Sequence, residues 1–314
     1  DRVLKPAVAA IANKIDRDGL VMAKNATANI VGTAGTVPTS LLTYLTAGAY
    51  LDSEGAPRDG RRACIVEPFT GATIVDSLKG LFVPSNTIAK QYERGMMGKD
   101  SAGMMWKMDQ NVVSQTFGSY ATATLACATT TATGFLTSGW ASTSTIALTA
   151  TTATAGLKQG DTITIANIFA ANPQNRAAYG SNRLRSFVVQ ADVTVATSGT
   201  TSVIVSPAVI TAGQFQNVVV NSTSATAVVT PFNNTGVVSP QNIVMHKNAF
   251  TMACADLELP DGVHFAGRAA DKELGLSMRV VRQYTINNDS IPTRVDVLYG
   301  WAPLYPELAC RVAA

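Results

Sequence analysis

Histidine and charge are both scarce in this sequence, and their scarcity limits what the protein can do. Only two of its 314 residues are histidine, charged residues make up 14% of the chain, and the net charge is +3. Acid–base catalysis depends on clusters of such groups, and nucleic-acid recognition depends on a strongly basic surface. The chain also has no Walker loop and no HExxH, GxSxG or Gly-rich dinucleotide-binding motif. The sequence therefore indicates a protein that is not an enzyme and uses no metal or cofactor, with His246 and His264 as surface or core-edge residues.

Cysteines and long apolar runs are limited as well. The four cysteines, Cys64, Cys127, Cys254 and Cys310, are far apart and lie in apolar stretches. This spacing fits neither a zinc site nor a disulfide framework, so we predict four buried free thiols in a reducing compartment. No apolar run reaches the roughly 18 residues needed to span a bilayer, and we predict no membrane segment.

The first 26 residues carry the pattern of a two-faced helix. An apolar stripe recurs at steps of three and four residues, formed by Leu4, Val8, Ile11 and Ile15. Pro6 fits this helix only if it lies in the first turn. The opposite face is polar and includes the basic residues Lys5, Lys14 and Arg17. Because the helical pattern starts directly at Asp1, we expect the chain to be an internal part of a longer gene product.

Residues 27–120 carry a mixed pattern. Thr39 and Ser40 can cap a helix that continues through Leu45. A short strand is predicted over residues 64–66, and further helices over residues 74–81 and 88–94. Strands that alternate with helices favour an α/β or α+β layer, and the whole chain is predicted to be α+β.

The next 120 residues differ sharply in composition. Residues 121–240 hold six charged residues, no glutamate and 24 threonines, whereas the other 194 positions hold 39 of the 45 charged residues. Threonine and valine favour strands, and period-two alternation recurs at residues 162–165, 187–195 and 202–205. We therefore predict an inserted all-β module, a small barrel or sandwich, over residues 121–237.

The mixed character returns after Pro240. Residues 250–257, 276–286 and 294–299 are predicted strands, and the last two form a long antiparallel hairpin. The chain thus divides into four predicted segments, residues 1–26, 27–120, 121–237 and 238–314, in which a split α+β domain encloses the all-β module.

Two arginines of the β block are separated by a single residue. A strand would place Arg183 and Arg185 on one face. A solvated face is the simplest interpretation, and the alternative is a face that meets phosphate or a neighbouring subunit. Under that alternative, replacing both arginines with glutamate would impair assembly and leave the subunit folded.

Three long motifs resemble those of a known family. They are DSLKGLFVPSNTIAKQYERGMMG at residues 76–98, AFTMACADLELPDGVHFAGRAA at residues 249–270, and LSMRVVRQYTINNDSIPTRVDVLYGWAPLYPELACRV at residues 276–312. In order along the chain, they are similar to the coat proteins of short-tailed, double-stranded DNA bacteriophages. The stretch TIALTATTATAGLKQGDTITIANI at residues 145–168 resembles the start of the insertion domain in the Salmonella-phage branch of that family.

The resemblance implies a Hong-Kong-97-type capsid fold. Residues 1–26 would be the spine helix of the peripheral domain, residues 27–120 and 238–314 the axial and peripheral core, and residues 121–237 the inserted β domain. The face with Lys5, Lys14 and Arg17 would look toward packaged DNA or scaffold. Family members also have an N-terminal arm and an extended loop before the spine helix, so we expect this region to be missing here through processing or truncation.

The resemblance also implies partners and a location. The protein would be the major capsid protein, a homo-oligomer of hexamers and pentamers in an icosahedral head. It would assemble in the bacterial cytoplasm with scaffolding protein and portal, and would enclose double-stranded DNA without sequence preference. Two alternatives remain open at this point: a decoration or adhesin-type β binding module, and an encapsulin-like nanocompartment shell.

Overall fold

A computed structural model describes residues 4–77, 95, 97, 101–120, 124–128, 134–151, 155–197, 199–221, 226–233, 236–271 and 275–314. These residues form the helices α1 (Leu4–Ala26), α2 (Leu41–Ser53) and α3 (Pro68–Ser77), a 3₁₀ helix at Pro306–Leu308 and twenty strands. The strands are β1 (Ile30–Gly32), β2 (Arg62–Val66), β3 (Met105–Met108), β4 (Ser114–Thr116), β5 (Leu125–Ala128), β6 (Ser144–Ala150), β7 (Ala155–Leu157), β8 (Thr162–Ala170), β9 (Leu184–Val189), β10 (Val193–Val195), β11 (Thr201–Ser206), β12 (Val218–Val220), β13 (Thr226–Pro231), β14 (Val238–His246), β15 (Phe250–Ala255), β16 (Phe265–Asp271), β17 (Leu276–Arg282), β18 (Thr293–Asp296), β19 (Leu298–Pro303) and β20 (Ala309–Ala313). The fold is mixed, with few helices and many strands, as the sequence predicted.

The chain divides into two compact units. The first comprises Asp1–Met22 and Phe250–Leu304, and the second comprises Ala23–Ala249 and Tyr305–Ala314. The two units are defined by contacts within the folded chain, whereas the four predicted segments are defined by changes in sequence composition and pattern. The four segments therefore stay a prediction about domain organisation.

The first unit combines most of α1 with two small antiparallel sheets. β15 pairs with β19, and β16, β17 and β18 form a three-stranded sheet. Trp301 of β19 packs on the helix backbone, because a Cβ at Gly19 would lie 2.7 Å from the Trp301 ring. The Trp301 Nε1 donates a hydrogen bond to the Ile15 carbonyl at 3.0 Å. The antiparallel pairing of β17 with β18 confirms the predicted hairpin.

The second unit contains a mixed sheet covered by α2. Its strand order is β1-β20-β14-β2-β3, with β4 paired to β14. Ser40 caps α2 by accepting a hydrogen bond from the Leu42 backbone N–H at 3.1 Å, as its position before the helix predicted. The apolar face of α2 enters a core cluster in which the rings of Tyr44 and Trp106 lie 5.0 Å apart. All five residues of β20 are buried.

The same unit contains a closed antiparallel sheet. Its order is β12-β8-β13-β5-β6-β11-β9, and β9 also pairs with β8, so six strands form a ring. Burial alternates along β6 and places Ile146 and Leu148 in the interior with Phe187 and Val203. A closed ring leaves no free strand edge among its members. We call this ring of strands the barrel.

The chain leaves the mixed sheet for the barrel and returns to it at adjacent positions. β4 precedes the barrel and β14 follows it, and the two strands pair directly, with Val238 opposite Thr116 and Pro240 opposite Ser114. Both connections of the barrel therefore start from one strand pair.

Several local expectations differ from the structure. Helix α1 is confirmed with Pro6 in its first turn, but Val8 and Ile11 are only half-buried. Helix α3 begins at Pro68 rather than at residue 74, because proline is favoured in a first turn and the Gly71 N–H already bonds to the Glu67 carbonyl. The predicted helix at residues 88–94 lies outside the described residues. None of the four cysteines forms a disulfide, but only three are buried, since Cys254 is half-buried.

Candidate assembly surfaces

Helix α1 carries three of the predicted site residues on its surface. Lys5, Lys14 and Arg17 are all exposed. The Lys14 ammonium lies 2.6 Å from Asp18, whose carboxylate also accepts a hydrogen bond from the Tyr299 hydroxyl at 2.7 Å. Together these two donors hold the pKa of Asp18 below its usual value, with Lys14 the larger influence. The polar face thus exists as predicted, and its contact with DNA or scaffold stays a prediction.

The other two predicted site residues point inward. Arg183, which directly precedes β9, and Arg185 within β9 both donate to Oε1 of Glu54, at 2.7 and 2.8 Å, so the two guanidinium groups share one acceptor. Their side chains are only 17% and 4% exposed, and that of Glu54 is 6% exposed. This corrects both interpretations of the arginines, because a buried group paired within its own chain is neither solvated nor available to a neighbouring subunit.

The surroundings of Glu54 favour its charged form. Burial alone would raise the pKa of this carboxyl, but the two guanidinium groups outweigh burial and hold the pKa below its usual value. Arg183 also lies over the rings of Tyr50 and Tyr179, at 4.8 and 5.1 Å from their centroids. The Tyr179 hydroxyl donates to the carbonyl of Ser53, at the end of α2. The barrel is therefore attached to α2 by ionic and aromatic contacts together.

A second set of buried polar contacts attaches the barrel to the mixed sheet. Arg311 of β20 is fully buried, and it donates to the Gly160 carbonyl at 2.8 Å and to the Thr162 hydroxyl. Burial lowers the pKa of Arg311 to about 10. A buried guanidinium is stable only where hydrogen bonds replace its hydration. The turn before β8 and the first residue of β8 supply those acceptors.

The same turn holds a buried carboxylate. The Asp161 carboxylate accepts hydrogen bonds at 2.9 Å from the Gly118 and Lys158 backbone N–H groups and from the Gln115 side chain. Gln115 in turn accepts a bond of 2.5 Å from the Lys24 ammonium. Burial raises the pKa of Asp161 and lowers that of Lys24 to about 8. Six charged residues with largely buried side chains thus connect the barrel to the rest of its unit. We call them the ionic seam: Lys24, Glu54, Asp161, Arg183, Arg185 and Arg311.

Sequence reasoning missed four members of the ionic seam. A signal was present, because Asp161 is one of only six charged residues among 120 positions, and Arg311 stands alone in the apolar end LACRVAA. Isolated charges in apolar surroundings are seldom buried without a partner. The identity of each partner requires the fold, because Arg185 and Glu54 are 131 positions apart.

His246 also differs from its predicted setting. It is the last residue of β14 and is 1% exposed. Its Nε2 lies 3.2 Å from Asp59, and its Nδ1 accepts a hydrogen bond from the Asn248 N–H. Both ring nitrogens of this histidine therefore have a polar partner within its own chain. His264, by contrast, is exposed as predicted.

Neither a metal centre nor a membrane helix is found within the described part of the chain. In these ranges, no group of three or more histidine, cysteine, aspartate or glutamate side chains could hold a metal ion. No helix there has the length and apolar character to cross a bilayer.

Large apolar side chains reach the surface in both units. The most exposed are Ile286 at 81%, Phe69 at 77%, Trp140 at 69% and Leu42 at 67%. Exposed apolar groups of this size commonly mark surfaces that bind other proteins.

Comparison with known proteins identifies the family. The model of the P22 coat protein family, described as gene protein 5, matches residues 1–311 of the 314-residue chain. A search of curated proteins gives no match. The family match spans both compact units and the barrel. The chain therefore belongs to the P22 coat protein family and is a major capsid protein that forms the phage head.

Proposed function

We propose that this coat protein builds its head from a Hong-Kong-97-type subunit. In this proposal α1 is the spine helix of the peripheral domain, and β16–β18 belong to the same domain. The mixed sheet with α2 is the axial domain, and the barrel is the inserted domain. The family membership and the 23-residue length of α1 support this assignment.

The observation that carries the proposal is the direct pairing of β4 with β14. Val238 lies opposite Thr116 and Pro240 opposite Ser114, so the two ends of the barrel segment are neighbours in one sheet. A domain with adjacent termini can be inserted between two paired strands without disturbing their register. This geometry supports the barrel as an insertion into a pre-existing sheet, within the predicted residues 121–237.

We further propose that the subunits assemble as hexamers and pentamers in an icosahedral lattice. Such a lattice needs self-complementary surfaces and no reactive residue. The exposed Ile286, Phe69 and Trp140 supply apolar contact surface. Assembly takes place in the bacterial cytoplasm with scaffolding protein and portal, and Lys5 and Arg17 of α1 face the packaged double-stranded DNA or the scaffold.

A structural role without catalysis fits the positions of the perturbed ionisable groups. Lys24 and Asp161 have shifted pKa values because they are buried between the barrel and the rest of its unit. Catalytic groups with such shifts normally line a cleft that substrate can enter. In this protein the same shifts result from the attachment of one part of the fold to another.

The test is assembly of the protein expressed at its full natural length, followed by negative-stain electron microscopy and size-exclusion chromatography. Runs with and without the scaffolding protein of the same phage separate self-assembly from assisted assembly. Closed shells or capsomer rings are the expected result. A small monodisperse species that never assembles, even with scaffold, would contradict the proposal and favour a separate binding module.

The basic face of α1 has its own test. Shells of the double variant Lys5→Glu, Arg17→Glu should form from folded subunits but incorporate less scaffold or retain less DNA. Lys158→Glu is the matched control, because Lys158 is an exposed cation of the barrel that pairs with Asp192. Equal scaffold and DNA content in all three shells would remove this face from the proposal.

A further inference from the structure

We propose that the side chains of Lys24 and Gln115 become joined by an amide bond, with release of ammonia and with Asp161 as the catalytic residue. All three residues belong to the second compact unit, so the reaction takes place within one folded subunit. It is a chemical activity of the chain on itself, and it does not depend on the proposed lattice.

The reacting groups of Lys24 and Gln115 already touch. Lys24 lies in the last turn of α1, and Gln115 is the middle residue of β4. The Lys24 Nζ is 2.5 Å from the Gln115 Oε1, and a carbonyl bond is about 1.23 Å long. The Nζ is therefore at most about 3.7 Å from the Gln115 Cδ, the carbon that an amine attacks. Groups held about 3–3.5 Å apart in a suitable orientation react as if their concentration were very high.

The Lys24 amine is suited to attack because its surroundings favour the neutral form. An amine reacts as a nucleophile only when it has lost its extra proton. Lys24 is 9% exposed, and burial lowers its pKa from 10.5 to about 8. Among the charged groups around it, Arg311 of β20 acts in the same direction, whereas Asp161 and Asp192 oppose the shift. At mildly alkaline pH, much of Lys24 therefore carries a free lone pair.

The Asp161 carboxylate is held at the nitrogen that must leave. It is fully buried and accepts a hydrogen bond from the Gln115 Nε2 at 2.9 Å. The backbone N–H groups of Gly118 and Lys158 fix its second oxygen, each at 2.9 Å. Burial raises the pKa of Asp161, so its carboxylate is a stronger base than one in water. A base bonded to the leaving nitrogen can give that nitrogen a proton.

The step exchanges one amide nitrogen for another. The neutral Lys24 Nζ attacks the Gln115 Cδ, and a bond forms between these two atoms. The Asp161 carboxylate takes one proton from Nζ and passes it to Nε2. The bond between Cδ and Nε2 then breaks, and ammonia leaves. The carboxylate is regenerated, no oxidant or reductant is consumed, and the product is a secondary amide.

Burial of the site does not prevent this reaction, because both reacting groups are part of the chain and no substrate has to enter. The product closes a loop across 91 positions of sequence and ties the end of α1 to β4, the strand that pairs with β14. A covalent link of this kind restricts the unfolded chain and thereby stabilises the folded one. Lys24 titrates as an amine until the bond forms and no longer titrates afterwards.

The mass of the folded protein tests the proposal directly. Subunits expressed at their full natural length are incubated at about pH 9, above the pKa of Lys24, and at about pH 6, below it. We expect the intact mass to fall by one ammonia molecule at the higher pH, and more than about tenfold more slowly at the lower pH. Trypsin cleaves after lysine and arginine, so the linked chain should give one branched peptide that joins residues 18–58 to residues 108–158. In a denaturing gel, the internal link should make the chain migrate faster.

Variants separate the roles of the three residues. Lys24→Met removes the amine and should never give the branched peptide. Lys158→Met is the matched control, because Lys158 is an exposed lysine whose backbone N–H is kept, and this variant should form the bond as wild type does. Asp161→Asn keeps the size of the side chain but is not a base. It should slow the reaction by about a hundredfold in protein whose circular dichroism matches that of wild type.

The outcomes decide both the bond and its mechanism. Folded wild-type protein that keeps its full mass on prolonged incubation at about pH 9 would overturn the proposal. Loss of ammonia from an asparagine gives the same change in mass, so a loss without the branched peptide would overturn it as well. Formation of the bond at the wild-type rate in Asp161→Asn would remove Asp161 from the mechanism. If that variant does not fold, the wild-type rate decides, because a rate that does not rise with pH through about 8 contradicts attack by Lys24.

Discussion

Arg185 of the barrel donates a hydrogen bond to Glu54 at the end of α2, at 2.8 Å and across 131 positions of sequence. Both side chains are more than nine-tenths buried. The pair shares its carboxylate oxygen with Arg183. One acidic residue at the end of α2 thus pairs with two basic residues at the start of a strand that belongs to a different sheet.

Replacement of Glu54 by glutamine should destabilise the subunit. It leaves two buried guanidinium groups without a counter-ion, and breaking a buried pair in this way typically costs about 3–5 kcal/mol. Chemical denaturation followed by circular dichroism measures the loss. The matched control is Asp192→Asn, which removes an exposed pair with Lys158 and should cost less than about 1 kcal/mol. Equal stability of the two variants would contradict a structural role for Glu54.

The double reversal Arg183→Glu, Arg185→Glu should prevent folding of the subunit. Three carboxylates would then occupy a site where the present side chains are 4% to 17% exposed, and like charges at such a site are strongly unfavourable. This outcome differs from the folded, assembly-defective subunit that the sequence suggested. Solubility and circular dichroism of the expressed protein distinguish the two, and a folded subunit would restore the earlier interpretation.

Acid should weaken the contact at Glu54 selectively. Its pKa in the folded state lies below the ordinary value of 4.5, so the folded form holds fewer protons than the unfolded form near that pH. The ionised Glu54 therefore contributes its full share to the free energy of unfolding at pH values above its pKa in the unfolded chain. This share is lost as the pH falls through the pKa of Glu54 in the folded state. Denaturation of wild type and Glu54→Gln as a function of pH should give free energies of unfolding that converge in acid. A constant difference down to low pH would show that ionisation of Glu54 is not involved.

Alkaline pH should increase the stability of the folded protein through Lys24. Its pKa falls from 10.5 to about 8 on folding because of burial, so between these values the unfolded chain holds more protons than the folded one. Stability then rises with pH across this interval, by on the order of 1 kcal/mol per pH unit. The free energy of unfolding of wild type should therefore increase relative to that of Lys24→Met. Parallel pH profiles for the two proteins would refute this.

Gly118→Ala should disrupt the turn that holds Asp161. A Cβ at this position would lie 1.9 Å from the Gly156 carbonyl oxygen and 2.8 Å from the Asp161 carboxylate, and backbone cannot yield as a flexible side chain does. Overpacking of this kind costs about 1–3 kcal/mol or more. Gly180→Ala is the control, because nothing lies within 4 Å of its added Cβ. The midpoint temperature of thermal unfolding should fall markedly for Gly118→Ala and change little for Gly180→Ala.

Local features of this fold were predictable from the sequence because they depend on neighbouring residues. The two-faced pattern of α1, the Ser40 cap of α2 and the alternation in β17 and β18 each reflect interactions over a few positions. The change in composition near residue 121 likewise indicated strands before any pairing was known. The closure of those strands into a ring depends on the pairing of β9 with β8, which alternation alone does not specify.

The ionic seam was not predictable because its partners are brought together only by the tertiary fold. Charge spacing placed Arg183 and Arg185 on one strand face but did not reveal that the face is covered by Glu54. The start of α3 was predicted at residue 74 but lies at Pro68, although the preference of proline for a first turn is a local signal. Sequence periodicity reports which face of an element is polar, and only the fold reports what lies against that face.

The adjacency of β4 and β14 has a consequence for how this gene can change over time. A coding segment whose product starts and ends at neighbouring points can be gained, lost or exchanged in one recombination event while the host sheet keeps its register. Glu54 and Arg311 lie outside that segment but depend on it for their partners. Loss of the barrel would therefore favour compensating mutations at those two positions, and relatives that lack it should carry uncharged residues there. Grafting of a foreign domain at residues 116–238 would require the same two substitutions.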